Sequence, residues 1–456
     1  MFLAFGKAPF ALFCLAILSG LAVLALRPGH DQARPDLVFA LFSKEHKAAY
    51  EKVIPSFEAK HGVKVQLQLI DPRTLQTRLS AALLSGAEVP DLVELIEPSI
   101  GYFTKGPLAD VGFVDLTERI ATEGLRERMV ASRFALWSSR GRVFALPHDV
   151  HPVMLTYRRD LFEKLGITPE DLTTWDDVLA VGRKLSARTT GADGVPEHYL
   201  LDLPVDGSFG ITTLLYQADG GLFDAQGRVR FDDAVARRVV RWYAQATRGS
   251  QRIAVTCGWG QSLARAAHDG RALAYLAPDW RVGQFEMDIP DLAGKFAVMP
   301  LPAWDRGGRR TSVMGGTGIC ITKASPKQDL AWALIKELYL REDVLGERFA
   351  STHILPPMRS AWDLPQLKEP NAFMSGQPVG SLYAALAPQA PEVYVSPYEE
   401  MARAKLNEAV VNVGLYYEAH GDDGLDDAVA RELTRCADYV RATMARNRFL
   451  TSEATP

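Results

Sequence analysis

Between Leu37 and Leu95 the apolar pattern switches period four times, and few folds accommodate the result. Leu37 to Phe42 is an unbroken apolar run of strand length, the mark of a strand covered on both faces. Lys44 to Lys60 carries Ala48, Ala49, Val53 and Phe57 at helical spacing and ends at Gly62. Val63, Val65, Leu67 and Leu69 alternate as a second strand. Thr74 to Leu84 is helical again, Gly86 ends it, and Pro90 leads into the strand Asp91 to Leu95. This order of strand, helix, strand, helix, strand implies a mostly parallel sheet covered by helices.

The pattern then breaks at Gly141 to Asp177. One short extended run (Val143, Ala145, Pro147) is joined to another (Val153, Leu155, Tyr157) through polar residues that include His148 and His151. Pro147 and Pro152 lack a backbone N–H and hold their predecessors extended, so the segment reads as a crossing strand and not a sheet centre. Arg158 to Leu165 is a short helix stopped by Gly166, and Thr174 with Asp177 supplies the start signal of the next. Further helices are predicted at Thr174 to Ala187, Gly210 to Ala218, Asp232 to Thr247 and Gly260 to His268, with strands at Leu273 to Leu276 and Phe296 to Met299. A second α/β lobe follows, and a stiff crossing between the two lobes implies a cleft. Gly315 to Ile321 returns as a glycine-led strand, after which helices dominate, ending in Glu399 to Ala419 and Leu425 to Arg446.

A chain of 456 residues exceeds one comfortable core, which agrees with two or three domains. The net charge of -4 supplies no basic field, so nucleic acid is not an expected partner. Cys14, Cys257, Cys320 and Cys436 lack any CxxC spacing, and no metal or redox role follows from them. From Ala8 to Leu26 no charge occurs, with Lys7 before and Arg27 after, so this stretch is an export signal or a membrane anchor. Either way the remaining chain works outside the cytoplasm.

Several short segments, in their shared order, carry a family likeness. They are Phe57 to Val65, Ser85-Gly86 with Pro90 to Leu95, Gly141 to Pro147, Tyr157 to Phe162, Thr174 to Asp176, Ala218 to Gly221, Gly315 to Thr317 with Ile321 to Lys323, and Leu355 to Pro357. Through them the chain resembles the extracytoplasmic solute-binding proteins of ABC importers, in particular the class that binds sugars. The likeness spans about Leu37 to Met444. It implies a two-lobed periplasmic-binding-protein fold, type II-like, each lobe a mainly parallel sheet flanked by helices and joined by a multi-crossing hinge that closes over a solute. The crossings implied lie near Asp149 to Pro152, Arg310 to Val313 and Pro357. After the N-terminal segment and spacer (1–35), residues 36–150 with 313–357 would form one lobe, and 151–312 with 358–456 the other. A sugar-like solute and the permease subunits are the implied partners of a monomer, with no cofactor.

A sugar has apolar faces and hydroxyl edges, so its site needs aromatic platforms and a few directed donors and acceptors. Trp280 follows a strand where the family places a cleft-facing aromatic; its alternative is a buried core tryptophan. Glu97 and Tyr102 lie past the carboxyl end of a strand, where open α/β sheets bind ligands, or else are a helix-entry acid and a surface tyrosine. Phe42 and Ser43 open a helix whose N–H groups could receive a ligand, or which Ser43 caps. At Gly315, Gly316 and Thr317 the backbone can approach a ligand or make a hinge turn. Asp149 and His151 reach the cleft or pack the hinge. Tyr398, before the long Glu399 helix, matches an aromatic position of sugar-binding relatives.

Other chemistries find little support. On a strand, positions 148 and 151 face opposite sides, which argues against joint metal ligation by the two histidines. Tyr416-Tyr417 falls within a helical pattern and reads as a core and surface pair, not as iron ligands. No GxxxxGK[ST] run exists to hold ATP, Asp206 to Gly210 misses the G-x-S-x-G pattern, and no spacing singles out a pair of acids, so an enzyme is not expected. A membrane-anchored sensory module of the same fold is the alternative reading to transport.

Overall fold

The computed structural model describes residues 13–19 and 35–449. Of the apolar stretch Ala8 to Leu26, only Phe13 to Ser19 are described, and they are helical. The rest of the export or anchor segment lies outside the described residues. No described helix is long and apolar enough to cross a membrane.

Strands are numbered in chain order: β1 (Leu37–Leu41), β2 (Val65–Leu69), β3 (Leu92–Ile96), β4 (Ser138–Ser139), β5 (Arg142–Val143), β6 (Leu146–Pro147), β7 (Val153–Arg158), β8 (Tyr199–Asp202), β9 (Ala254–Val255), β10 (Ala272–Pro278), β11 (Phe296–Pro300) and β12 (Thr317–Ile321). They build two five-stranded sheets, β2-β1-β3-β12-β6 and β11-β7-β10-β8-β9, beside the small β4-β5 pair. In the first sheet β1 runs parallel to β2 and β3, while β12 is antiparallel to both β3 and β6. In the second, β10 is parallel to β8, whereas β7 is antiparallel to both β10 and β11. Each sheet therefore has one reversed strand among four that share a direction. Both reversed strands follow a passage from one sheet to the other: β7 comes directly after Pro152, and β12 directly after Val313 to Gly316. A strand that enters a sheet from the neighbouring lobe arrives at the carboxyl ends of the others and must run against them.

One expectation is corrected here. The run Val153, Leu155, Tyr157 is not peripheral; β7 is hydrogen bonded on both edges and every residue of it is buried. Pro152 sits outside the strand, and Val153 to Arg158 contains no proline, so each residue keeps its ladder donor. Proline marks where this strand begins and does not demote it to an edge.

The crossings are tied together by backbone bonds. Val150 N–H donates to the Leu355 carbonyl (3.1 Å), Val153 N–H to Ser312 (3.0 Å) and His148 N–H to Thr317 (2.9 Å), and Pro152 bridges Val313. In the second lobe the helix Trp175–Arg188 starts with the expected capping box, in which Thr174 and Asp177 satisfy each other's backbone donors. The Trp175 ring then meets Trp242 edge-on at 5.1 Å and lies 6.2 Å from Trp304. Each of these three indole N–H groups finds a buried acceptor: Gln217 Oε1, the Trp175 carbonyl and the Leu214 carbonyl. The helices Glu399–His420 and Leu425–Met444 close this core with Leu406, Val410, Val413, Leu433 and Val440.

Candidate functional site

A cavity of about 240 Å³ lies between the two sheets. From the first sheet's side come Glu97, just past β3, and Arg133 and Leu136 of the short turn that begins at Ser132. From the other come Phe209, Thr212, Thr213 and Tyr216 of the helix Ser208–Gln217, Trp259 after β9, Trp280 after β10, and Arg403 of the helix Glu399–His420. Val313, Met314 and Gly315 of the second crossing form the floor. Glu97, Trp259 and Trp280 follow the carboxyl ends of β3, β9 and β10, where loops are free to converge.

The aromatic wall consists of Trp259 and Trp280, stacked at 6.2 Å with their planes 22° apart, with Phe209 tilted against Trp259 at 5.0 Å. Trp259 is 46% exposed although it is one of the largest apolar side chains in the molecule. Arg281, fully buried, holds its guanidinium 5.0 Å from the Trp259 ring and donates to Asp202 and the Leu276 carbonyl. The indole is thus braced by packing and a cation–π contact while part of its surface stays open to the cavity.

The polar wall is an ion-pair network that joins the lobes. Arg403 donates to Glu97 across the cleft, to Glu399 Oε1 (3.1 Å) and to the Tyr216 hydroxyl (3.3 Å). Burial pushes the Glu399 carboxyl up to about 7, against the pull of Arg403, and its Oε2 has no partner. Beneath this network Arg133 is 1% exposed; it donates to the Gly315 carbonyl (2.9 Å) and the Asp149 carbonyl (3.2 Å). Burial draws its guanidinium down from the usual arginine value, opposed chiefly by the Asp149 carboxylate.

Of the residues singled out by sequence, the cavity lining brings together Trp280, Glu97 and Gly315. Gly315 has φ +85°, and a Cβ there would stand 3.8 Å from the Trp280 indole nitrogen. At Gly316 a Cβ would meet Leu136 at 2.6 Å and Arg133 at 2.7 Å. The Thr317 N–H donates to Asp149 (2.9 Å), so it faces the hinge. Tyr102 and Tyr398 line a separate recess of about 190 Å³, with the Lys105 ammonium 5.0 and 5.8 Å from their rings. Ser43 accepts from the His46 N–H (3.1 Å) as a helix cap, and Phe42, beside it, lies against the His46 ring. Neither residue lines the cavity.

Asp149 and His151 sit behind the floor as a buried hinge network. Asp149 Oδ2 accepts from the Thr317 N–H and contacts His151 Nε2 (3.0 Å) and His148 Nδ1 (3.3 Å); His151 Nδ1 reaches Asp279 at 2.6 Å. Burial disfavours the Asp149 charge, yet His151 and the hydrogen bonds of both histidines hold its carboxyl well below the usual range. The strand geometry assumed for positions 148 and 151 is corrected here. β6 ends at Pro147 and His151 has φ +54°, so alternation does not apply and both histidines turn toward one carboxylate. Tyr416 and Tyr417 lie in the helix Glu399–His420, with Tyr417 packed in the core.

Arg133, Phe209, Thr212, Thr213, Tyr216, Trp259, Met314 and Arg403 were not anticipated. Trp259 carried a usable signal, since it stands between Gly258 and Gly260 just beyond a strand end. Arg403, one basic residue on a charged helix face, carried none.

Comparison with known proteins agrees with this architecture. Residues 52–375 match the family model described as bacterial extracellular solute-binding protein. The arabinooligosaccharide-binding protein of Bacillus subtilis is 25% identical over 393 residues, covering 84% of this chain and 87% of that one. The lactose-binding protein of Rhizobium radiobacter is 26% identical over 332 residues, covering 70% and 74%. Among solved structures, the sugar-binding protein MalE from Xanthomonas citri superposes with a TM-score of 0.71 at 20% identity, over 89% of this chain and 98% of that one. A family 1 extracellular solute-binding protein gives a TM-score of 0.73 at 20% identity, over 89% and 99%. With a family match across most of its length and two α/β lobes around an interlobe cavity, the chain belongs to the bacterial extracellular solute-binding proteins.

Proposed function

We propose that this protein is the solute-binding component of an ABC importer for a sugar, capturing it between the lobes and delivering it to membrane permease subunits outside the cytoplasm. The observation that carries the reading is the Trp259–Trp280 wall facing the Glu97–Arg403 pair across one cavity. Indole faces match the apolar faces of a pyranose or furanose ring, and a carboxylate beside a guanidinium matches its hydroxyl edge with an acceptor and donors. Trp280, Glu97 and Gly315 contact the sugar; Asp149, His151, Gly316 and Thr317 hold the hinge that brings them to it. The moving bodies are 36–150 with 313–357 and 151–312 with 358–456. The cavity adjoins a second of about 480 Å³ through Tyr216 and Val393, and this continues through Glu392 and Tyr394 into a groove of about 990 Å³. Such a series suits a short oligosaccharide better than a monosaccharide, in keeping with relatives named for arabinooligosaccharides and lactose.

The test is a thermal-shift and calorimetric screen of mono-, di- and oligosaccharides beside amino acids and peptides. A ligand at a hundredfold excess over Kd adds about 2.7 kcal/mol to stability. At least one sugar is expected to raise Tm in the native protein and, at the same concentration, to raise it by half as much or less in Trp280→Ala. If only amino acids or peptides do so, the sugar assignment fails.

A further inference from the structure

The middle of β3 holds a feature that solute binding does not use. Glu94 is fully buried at the centre of a strand whose other core positions are apolar. Its Oε1 accepts from the Tyr50 hydroxyl (2.5 Å) and the Tyr339 hydroxyl (2.7 Å), while Oε2 lies 3.0 Å from His46 Nδ1. The His148 ring packs 4.2 Å from the His46 ring. His148 Nδ1 faces Asp149 Oδ2 at 3.3 Å, which places its proton there and leaves a lone pair on Nε2. That nitrogen is fully enclosed and has no hydrogen-bond partner. A buried acceptor without a donor is costly, and a bound cation or water offsets that cost.

We propose that His46, Glu94 and His148 form a buried site for a first-row transition metal ion of the Zn²⁺ type, independent of the sugar cleft. Their three ligand atoms lie within 4.8 Å of one another. Ligands bonded at about 2.0 to 2.2 Å around a tetrahedral zinc stand roughly 3.4 Å apart, so small rotamer adjustments bring the set to bonding distance. Two imidazoles and one carboxylate are a donor set that this class of ion prefers over Ca²⁺ or Mg²⁺. The surroundings supply an outer shell: Asp149 orients His148, and the two tyrosine hydroxyls orient Glu94. Arg348, which donates to the His148 carbonyl (3.1 Å), opposes a cation, and the carboxylates of Glu94 and Asp149 offset it. Because the site is closed to solvent, the ion enters as the chain folds and joins the helix Lys44–His61, β3 and the first hinge crossing.

The test is refolding of the full chain from denaturant with excess Zn²⁺, or with chelator, followed by gel filtration and elemental analysis. Close to one zinc per chain is expected, roughly the stoichiometry of a structural site, with a higher Tm than the chelator-refolded protein. Co²⁺ refolding should give the visible absorption of a low-coordinate nitrogen and oxygen site. Both signals should fall at least tenfold in Glu94→Gln and in His148→Phe, and persist in the surface control His61→Ala. Sub-stoichiometric zinc in the refolded native chain overturns the proposal, as does metal that survives both core substitutions. Sugar binding is read separately, so either conclusion stands or falls without the other.

Discussion

His151 is where protonation and hinge geometry meet most directly. Its Nε2 lies 3.0 Å from Asp149 and its Nδ1 2.6 Å from Asp279, so one imidazolium donates to a carboxylate of the crossing and to one that opens a helix of the second lobe. Burial alone would draw its pKa down; the two carboxylates outweigh it and raise the group from 6.5 to about 9. The folded protein therefore holds this proton more tightly than the unfolded chain does. The resulting stability is fully present below pH 6.5 and is lost as pH rises through about 9. The difference between those two values corresponds to about 3 kcal/mol, at 1.36 kcal/mol per unit. Urea unfolding of the native protein and of His151→Gln at pH 6 and pH 10 measures it, and subtraction removes the titrating groups that do not touch His151. The stability advantage of the native protein over the variant should shrink by about 3 kcal/mol between the two conditions. An advantage equal at both pH values would refute the charged bridge and leave His151 a packing residue.

Three further outcomes follow from the site. Trp280→Ala should weaken sugar affinity by about tenfold or more while leaving the lobes folded, as read by calorimetry beside circular dichroism. Glu97→Gln removes the charge that Arg403 meets across the cleft, so the unliganded protein should sample more open forms, visible as a larger radius of gyration in solution scattering. Glu399, raised to about 7 chiefly by burial, should contribute stability below its unfolded value of 4.5 that is lost as pH rises through 7; Glu399→Gln should flatten the stability profile across that window.

The elements that sequence announced best are those whose signals are local. The helix Lys44–His61 stops at Gly62, Trp175–Arg188 begins with its capping box, and β1 through β3 appear where the period changes. Each depends on residues within a turn or two of one another. The proline before Val153 reports only on its own neighbours and not on the strand itself, whose two partners, β10 and β11, lie more than a hundred residues away. Glu94 illustrates the same limit from the other side. Its charge within an apolar strand gives no hint of Tyr50, Tyr339, His46 and His148, which come from two helices and the first hinge crossing.

By itself the sequence determined the alternation of strands and helices, the division into two α/β lobes and the residues at strand ends from which a cleft could be lined. Trp280 and Glu97 were legible for that reason, and Gly315 because a glycine lets the backbone approach closely. Only the tertiary structure decided that Trp259 stacks on Trp280, that Arg403 meets Glu97 across the cleft, and that Asp149 and His151 brace the hinge behind the cavity. Periodicity reports which face of an element is covered, a property of short range; which side chain covers it depends on how two sheets and the crossings between them are arranged in space.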